Sequence, residues 1–199
     1  MIGSILQFVS HHLNLALCNH LRIDPSARKV FLSPGVSPDG DFTGADENAL
    51  VLALVSIARD PLASQPLSRF PSSSLPLNPL AALESSPPPI PIHLQVLLAA
   101  RFKPDQAVVG LDLLAHAIAF LHAHPRWDPL RFPGFPEGVR DLSFDLEPLD
   151  LPALNNVWSS LGTKLLPSAL YRIRMISLPF HEPPRPVPAV SNPDLNVSN

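Results

Sequence analysis

The chain has 199 residues, 46% of them apolar and only 16% charged, with 14 basic against 17 acidic side chains and a net charge of −3. That length makes one domain with a sizeable core, and the charge balance excludes the basic profile of a nucleic-acid or membrane-surface binder. A lone cysteine, Cys18, excludes an internal disulfide framework and a cysteine-based zinc site.

Residues 2–21 read as a helix. Ile5, Val9, Leu13, Ala16 and His20 recur at a three-to-four spacing, Leu6 and Leu17 widen the stripe, and Asp24-Pro25 ends it. Cys18 falls in that pattern as a packed thiol. A short strand, KVFLS, and a Gly/Pro/Asp loop come next. NALVLALVSIA is an apolar run without alternation, which suits a central strand buried on both faces. From 60 to 91 Pro, Ser and Leu dominate and no period survives, which predicts a long loop. PIHLQVLLAAR restores strand character, with Ile92, Leu94, Val96 and Leu98 on one side.

Pro104 then opens a helix to about His124. Its apolar face is Ala107, Leu111, Leu114, Ile118 and Leu121, while Leu113, Ala117 and Phe120 carry it far round the cylinder. So broad a face predicts packing on two sides, one against the sheet and one against a second element, for which a neighbouring subunit is the candidate. VRDLSFDLE alternates, with Leu142, Phe144 and Leu146 inward and Asp141, Ser143, Asp145 and Glu147 outward. Asp150 is placed to cap a helix whose inward positions are Leu154, Val157, Trp158 and Leu161, and Gly162 to end it in a left-handed turn. LYRIRMISL is the last strand, with Tyr171, Ile173 and Met175 on one face and Arg172 and Arg174 on the other. Many of the 26 prolines lie in the loop and beyond Pro179, where the tail is too Pro-rich and polar to fold alone. The prediction is one α+β domain over 1–178, its mostly antiparallel sheet flanked by helices in the order α-β-β-β-α-β-α-β, with a Pro/Ser-rich loop at 60–91 and a Pro-rich tail at 179–199.

No basic region precedes an N-terminal apolar run, and polar residues interrupt the longer apolar runs. The expectation is a soluble chain made in the cytoplasm. Motifs for chemistry are lacking. The loop Asp39-Gly40-Asp41-Phe42-Thr43-Gly44 begins like a calcium loop, but its twelfth place, where a bidentate carboxylate belongs, is Leu50. Neither His11-His12 nor His122-x-His124 sets two rings on one helical face, and no His-Glu-x-x-His occurs. Phosphate loops and nucleophile elbows are missing as well. No catalytic, cofactor-binding or metal residue is assigned. The arginine pair reads either as a solvated face or as a contact, its guanidinium forks meeting Asp145 and Glu147 across a strand or across a subunit boundary.

Two stretches carry more. PPPIPIHLQVLLAA before the long helix, and NNVWSSLGTKLLPSALYRIRMI near the end, resemble the tail-cap (tail-terminator) family of extracellular contractile injection systems of the antifeeding prophage and Photorhabdus virulence cassette type. The resemblance runs over about residues 2–178. Its most specific part is Trp158-Ser159, Leu161-Gly162, Lys164, Pro167-Ser168, Tyr171-Arg172 and Arg174-Met175; it departs at Leu165-Leu166, where an aromatic is common.

The resemblance implies a tail-terminator-like fold and a structural rather than enzymatic role. A ring of identical subunits, six by expectation, would sit on the finished inner tube and sheath and stop further polymerisation. Its partners would be itself, the tube protein and the sheath protein, without nucleic acid or membrane. The chain would be made in a bacterial or archaeal cytoplasm and assembled into the particle. On this reading Arg172, Arg174, Asp145, Glu147, Trp158 and Tyr171 become interface candidates. The alternatives are another tube or baseplate adaptor of the same particle, or a small-molecule-binding or hydrolytic domain.

Overall fold

The computed structural model describes residues 1–44, 47–60 and 90–178. The loop expected at 60–91, apart from its ends, and the tail expected at 179–199 lie outside the described residues. Helix α1 (Ile2–Leu21) leads into strand β1 (Val30–Ser33) and two long strands, β2 (Ala49–Arg59) and β3 (Ile90–Arg101). After a single 3-10 turn at Pro104–Gln106 come α2 (Ala107–Ala123), β4 (Arg126–Trp127), β5 (Leu142–Leu146), α3 (Leu151–Leu161) and β6 (Ser168–Leu178). Apart from β4, this is the expected α+β order.

The six strands form one sheet in the order β1-β2-β3-β6-β5-β4, antiparallel throughout except for β1 against β2. β6, the last strand among the described residues, is therefore central. It is slotted between β3 and β5, with Val96 opposite Tyr171 on one side and Leu146 opposite Tyr171 on the other.

One face of the sheet is apolar along its whole width. Leu50, Leu52, Leu94, Val96, Leu98, Leu142, Phe144, Tyr171, Ile173 and Met175 point into it. Against them pack Ile5, Val9, Leu13 and Leu17 of α1 and Leu113, Leu114, Ala117 and Leu121 of α2. The other face carries only a half-core, in which Val51, Ala53, Leu97, Ala99 and Leu170 are covered by Trp158 of α3 and by Phe42.

Local chemistry fixes the ends of these elements. Asn14, buried on α1, accepts the Lys29 and Val30 N–H groups at 2.7 and 3.2 Å and donates to the Ala27 carbonyl at 3.1 Å, so it ties the start of β1 to the helix. The Cys18 thiol donates to the same carbonyl at 3.2 Å, and burial pushes its pKa up. In α3 the Asp150 carboxylate accepts the Ala153 N–H at 2.8 Å, and Gly162 ends the helix at φ 68, a conformation that costs glycine little.

Three expectations about burial are corrected. The inner side of α2 is Gly110, Leu113, Leu114, Ala117 and Leu121, whereas Leu111 is 49% exposed. A helix apolar nearly all round gives periodicity no face to choose. The choice is made by Gly110, where a Cβ would come within 2.6 Å of the Phe102 ring carbon nearest the chain, so the glycine lets Phe102 lie on the helix. Leu146 shares the inward side with Leu142, Phe144 and its register partner Tyr171 but is 54% exposed, since it lies at the end of β5, past the stretch that β4 pairs. Strand β2 is buried on both faces over Ala49–Ala53, then bulges between Leu54 and Ser56 and emerges into solvent.

Candidate interaction surfaces

The half of the sheet that α3 leaves open is polar, and its side chains hold one another. Arg172 lies opposite Asp145 in register but pairs diagonally with Glu147, and Arg174 lies opposite Ser143 and reaches Asp145 at 3.2 Å. Asp60, buried at the end of β2, stands 4.0 Å from the same Arg174 guanidinium. Glu147 also accepts from Gln95 Nε2 at 2.9 Å, and Gln95 Oε1 accepts the Ser56 hydroxyl at 2.6 Å. A ladder of alternating donors and acceptors thus crosses β2, β3, β5 and β6 within one chain.

Both arginines remain about one-third exposed, while Glu147 keeps only 12% of its side-chain surface. The carboxylate is the committed member, and the guanidiniums retain an outward side. Such an arrangement holds the arginine planes in fixed positions at the surface without leaving a carboxylate unpaired in the interior.

Of the six interface candidates, the structure brings four together: Arg172, Arg174, Asp145 and Glu147. Trp158 and Tyr171 go elsewhere. Trp158 is buried under α3 against Phe42, with centroids 6.2 Å apart, and Tyr171 is buried in the helix-side core, where loss of solvent pushes its phenol up to about 12. Both support the arginine-bearing strand from within their own chain. Gln95, Ser56 and Asp60 were missed. Gln95 was legible, since His93 and Gln95 fall at alternate positions in an apolar strand and mark a polar side.

The calcium-like loop is structural. Its Asp41 meets Arg101 at 3.5 Å, and the Gly40 carbonyl accepts the Thr163 hydroxyl, which fastens the loop to the end of α3. The two segments border an open cleft of about 440 Å³. Among the described residues no group of three or more His, Cys, Asp or Glu could hold a metal ion.

Helix α2 forms a second surface. Its outer side presents Val108, 73% exposed, together with Val109, Leu111, Ala115 and Ala119, and Asp112 is its lone charge among full-time ions. Although Asp112 and His116 interrupt it, Pro104–Ala123 is long and apolar enough to cross a membrane by length and composition, at a mean hydropathy of 1.4. In the structure one side of it packs on the sheet.

A sequence profile of the Pvc16 N-terminal domain family matches residues 7–192. Two solved structures are similar. The PVC sheath/tube terminator of an extracellular contractile injection system, in its extended state, is 19% identical with a TM-score of 0.47, over 94% of this chain and 63% of that one. The anti-feeding prophage cap, a tube-terminating cap, is 19% identical with a TM-score of 0.49, over 92% of this chain and 58% of that one. The chain therefore spans less than two thirds of the length of either. No curated protein matches it.

Proposed function

The chain belongs to the Pvc16 N-terminal domain family, and from that premise we propose that it is a structural cap of a phage-tail-like contractile injection particle. Six copies form a ring on the finished inner tube and sheath and end the growth of both. The family match over residues 7–192 carries this reading. The physical character of the molecule supports it, with few charges, an α2 whose outer side is apolar, and a sheet face whose arginines are held ready at the surface.

A tube grows because each ring offers the next a complementary face. A cap binds that last face and offers nothing equivalent beyond it, which requires extended surfaces rather than a reactive pocket. In this scheme the ladder of Arg172, Arg174, Asp145 and Glu147 is a contact surface, with Trp158 and Tyr171 as its internal supports. The role is structural, with no turnover, and the partners are other copies, the tube protein and the sheath protein. The test is negative-stain imaging of particles assembled without the protein. Overlong or ragged tubes are the expected result, and tubes of normal length with blunt ends would remove the terminating role.

A further inference from the structure

The two helices on the apolar face of the sheet carry almost no permanent charge. Helix α1 holds no Asp, Glu, Lys or Arg, and α2 holds only Asp112. Yet five of the chain's eight histidines lie in this pair, His11, His12 and His20 in α1 and His116 and His122 in α2. The charge of the helix layer is therefore set by its imidazoles, and so by pH.

Two of these histidines meet. The His20 and His116 rings lie across the α1–α2 seam with centroids 3.5 Å apart and planes 40° from parallel, the closest ring pair among the described residues. Beside them the seam opens into a groove of about 220 Å³ lined by Leu13, Ala16, Leu17, Ala117, Ala119 and Phe120, none of which can neutralise a charge. Among the described residues neither ring forms an ion pair. Other ionisable groups on the surrounding elements are Asp112 and His122 on α2, Asp105 ahead of it, and Arg22 and Asp24 just past α1, while β1 carries none. Strands β2 and β3 bring Arg59, exposed at the end of β2, and His93 and Arg101, which alternate onto the face away from the helices.

A first proton is well placed on this pair. His20 is exposed in the last turn of α1, where unpaired carbonyls favour a cation, and Asp112 stands one turn before His116. A second proton is not. Two imidazolium ions in ring contact repel each other with no room for water between them.

We propose that the His20–His116 pair is an acid-operated release on the α1–α2 seam. With one proton or none the rings stack and the seam is closed. The second proton parts the rings and loosens the end of α1 from the middle of α2. Because α2 also presents the outward apolar side, acid loosens the mount of that surface. The device belongs to the single chain and does not rest on the cap reading.

The test is a double-mutant cycle by urea titration of the full chain, with His20→Gln, His116→Gln and both together. It is run at about pH 8 and about pH 5, on either side of the ordinary imidazole value of about 6.5. Glutamine keeps a polar, helix-forming side chain that takes no proton. Near pH 8 each single variant is expected to unfold at the wild-type midpoint or below it. Near pH 5 each is expected to outlast the wild type, and the double variant to gain no more than one of them. The acid response of His12 is common to all four chains and cancels. A coupling that is the same at both pH values overturns the proposal. If the wild type is already unfolded near pH 5, refolding by either single variant supports it and a failure to refold overturns it. Amide exchange near pH 5 reads the movement itself. Residues 13–21 and 113–121 are expected to exchange about tenfold or more faster in the wild type than in His116→Gln, and equal exchange overturns the release.

Discussion

The two faces of the sheet differ in how completely the chain covers them. On the α1/α2 face the apolar side chains run from β1 to β5 under two helices. On the opposite face α3 covers one half, and the other half is a ladder of arginines and carboxylates. The first face holds the fold together through area alone, which is non-directional and tolerant. The second divides its work, with one half fixing a helix and the other fixing charges in place.

Mutation can break this contrast, and the largest effect belongs to the fully covered face. Trp127→Ala removes a wholly buried indole that touches Phe8, His12, Phe132 and Phe144. It should cost about 3–5 kcal/mol in a urea titration and unfold the domain as one unit. A loss confined to one helix would show that this face is not one cooperative core.

Two changes of about 1–3 kcal/mol come next, one on each face. Gly110→Ala drives a methyl group into Phe102 and should destabilise by overpacking, although alanine is the better helix former. Arg172→Ala leaves Glu147, nearly buried, with Gln95 as its remaining side-chain partner among the described residues and should cost a similar amount. That second prediction sharpens the interface reading. If Arg172→Ala weakens ring assembly and leaves the urea midpoint unchanged, the ladder serves partners only; if the midpoint falls, it serves the fold as well. Asp150→Ala removes the cap of α3 and should cost about 1 kcal/mol, read as a small shift of the melting curve.

The smallest effect is a pH dependence on the helix side. His12 sits among Phe8, Trp127 and Phe132, and burial lowers its pKa, while acceptance by the Pro133 carbonyl works the other way and the neighbouring His11 adds to the lowering. The folded chain therefore disfavours the imidazolium. The stability this group contributes is complete above the ordinary imidazole value of about 6.5 and is lost as pH falls from there through the lowered folded value. His12→Gln should flatten the stability-versus-pH curve in that window, and an unchanged slope would show that His12 does not feel its cage.

Much of this contrast could be read from the chain. Period-two alternation separated Tyr171, Ile173 and Met175 from Arg172 and Arg174, and Asp150 and Gly162 marked both ends of α3. What could not be read depends on distant pairing or on ambiguous pattern. Nothing in LYRIRMISL says that it will lie between β3 and β5, so Gln95 and Asp60 could not be joined to the arginines beforehand. An aromatic residue in a specific motif reads equally well as anchor or as contact, and the packing of Trp158 and Tyr171 shows the anchoring part. The rotation of α2 was hidden by its own greasiness, and one missing Cβ at Gly110 settled it.

The margins of the sheet carry a last consequence. One boundary strand has four residues and the other two, and Asn14 already occupies the first amide groups of the longer one. Among the described residues these two boundary strands offer backbone-to-backbone zippering, which can continue indefinitely once begun, only a short template. In the proposed ring, copies would meet instead through shaped side-chain surfaces, which are used up after one neighbour on each side. A molecule proposed to finish a polymer thus starts by refusing to become one.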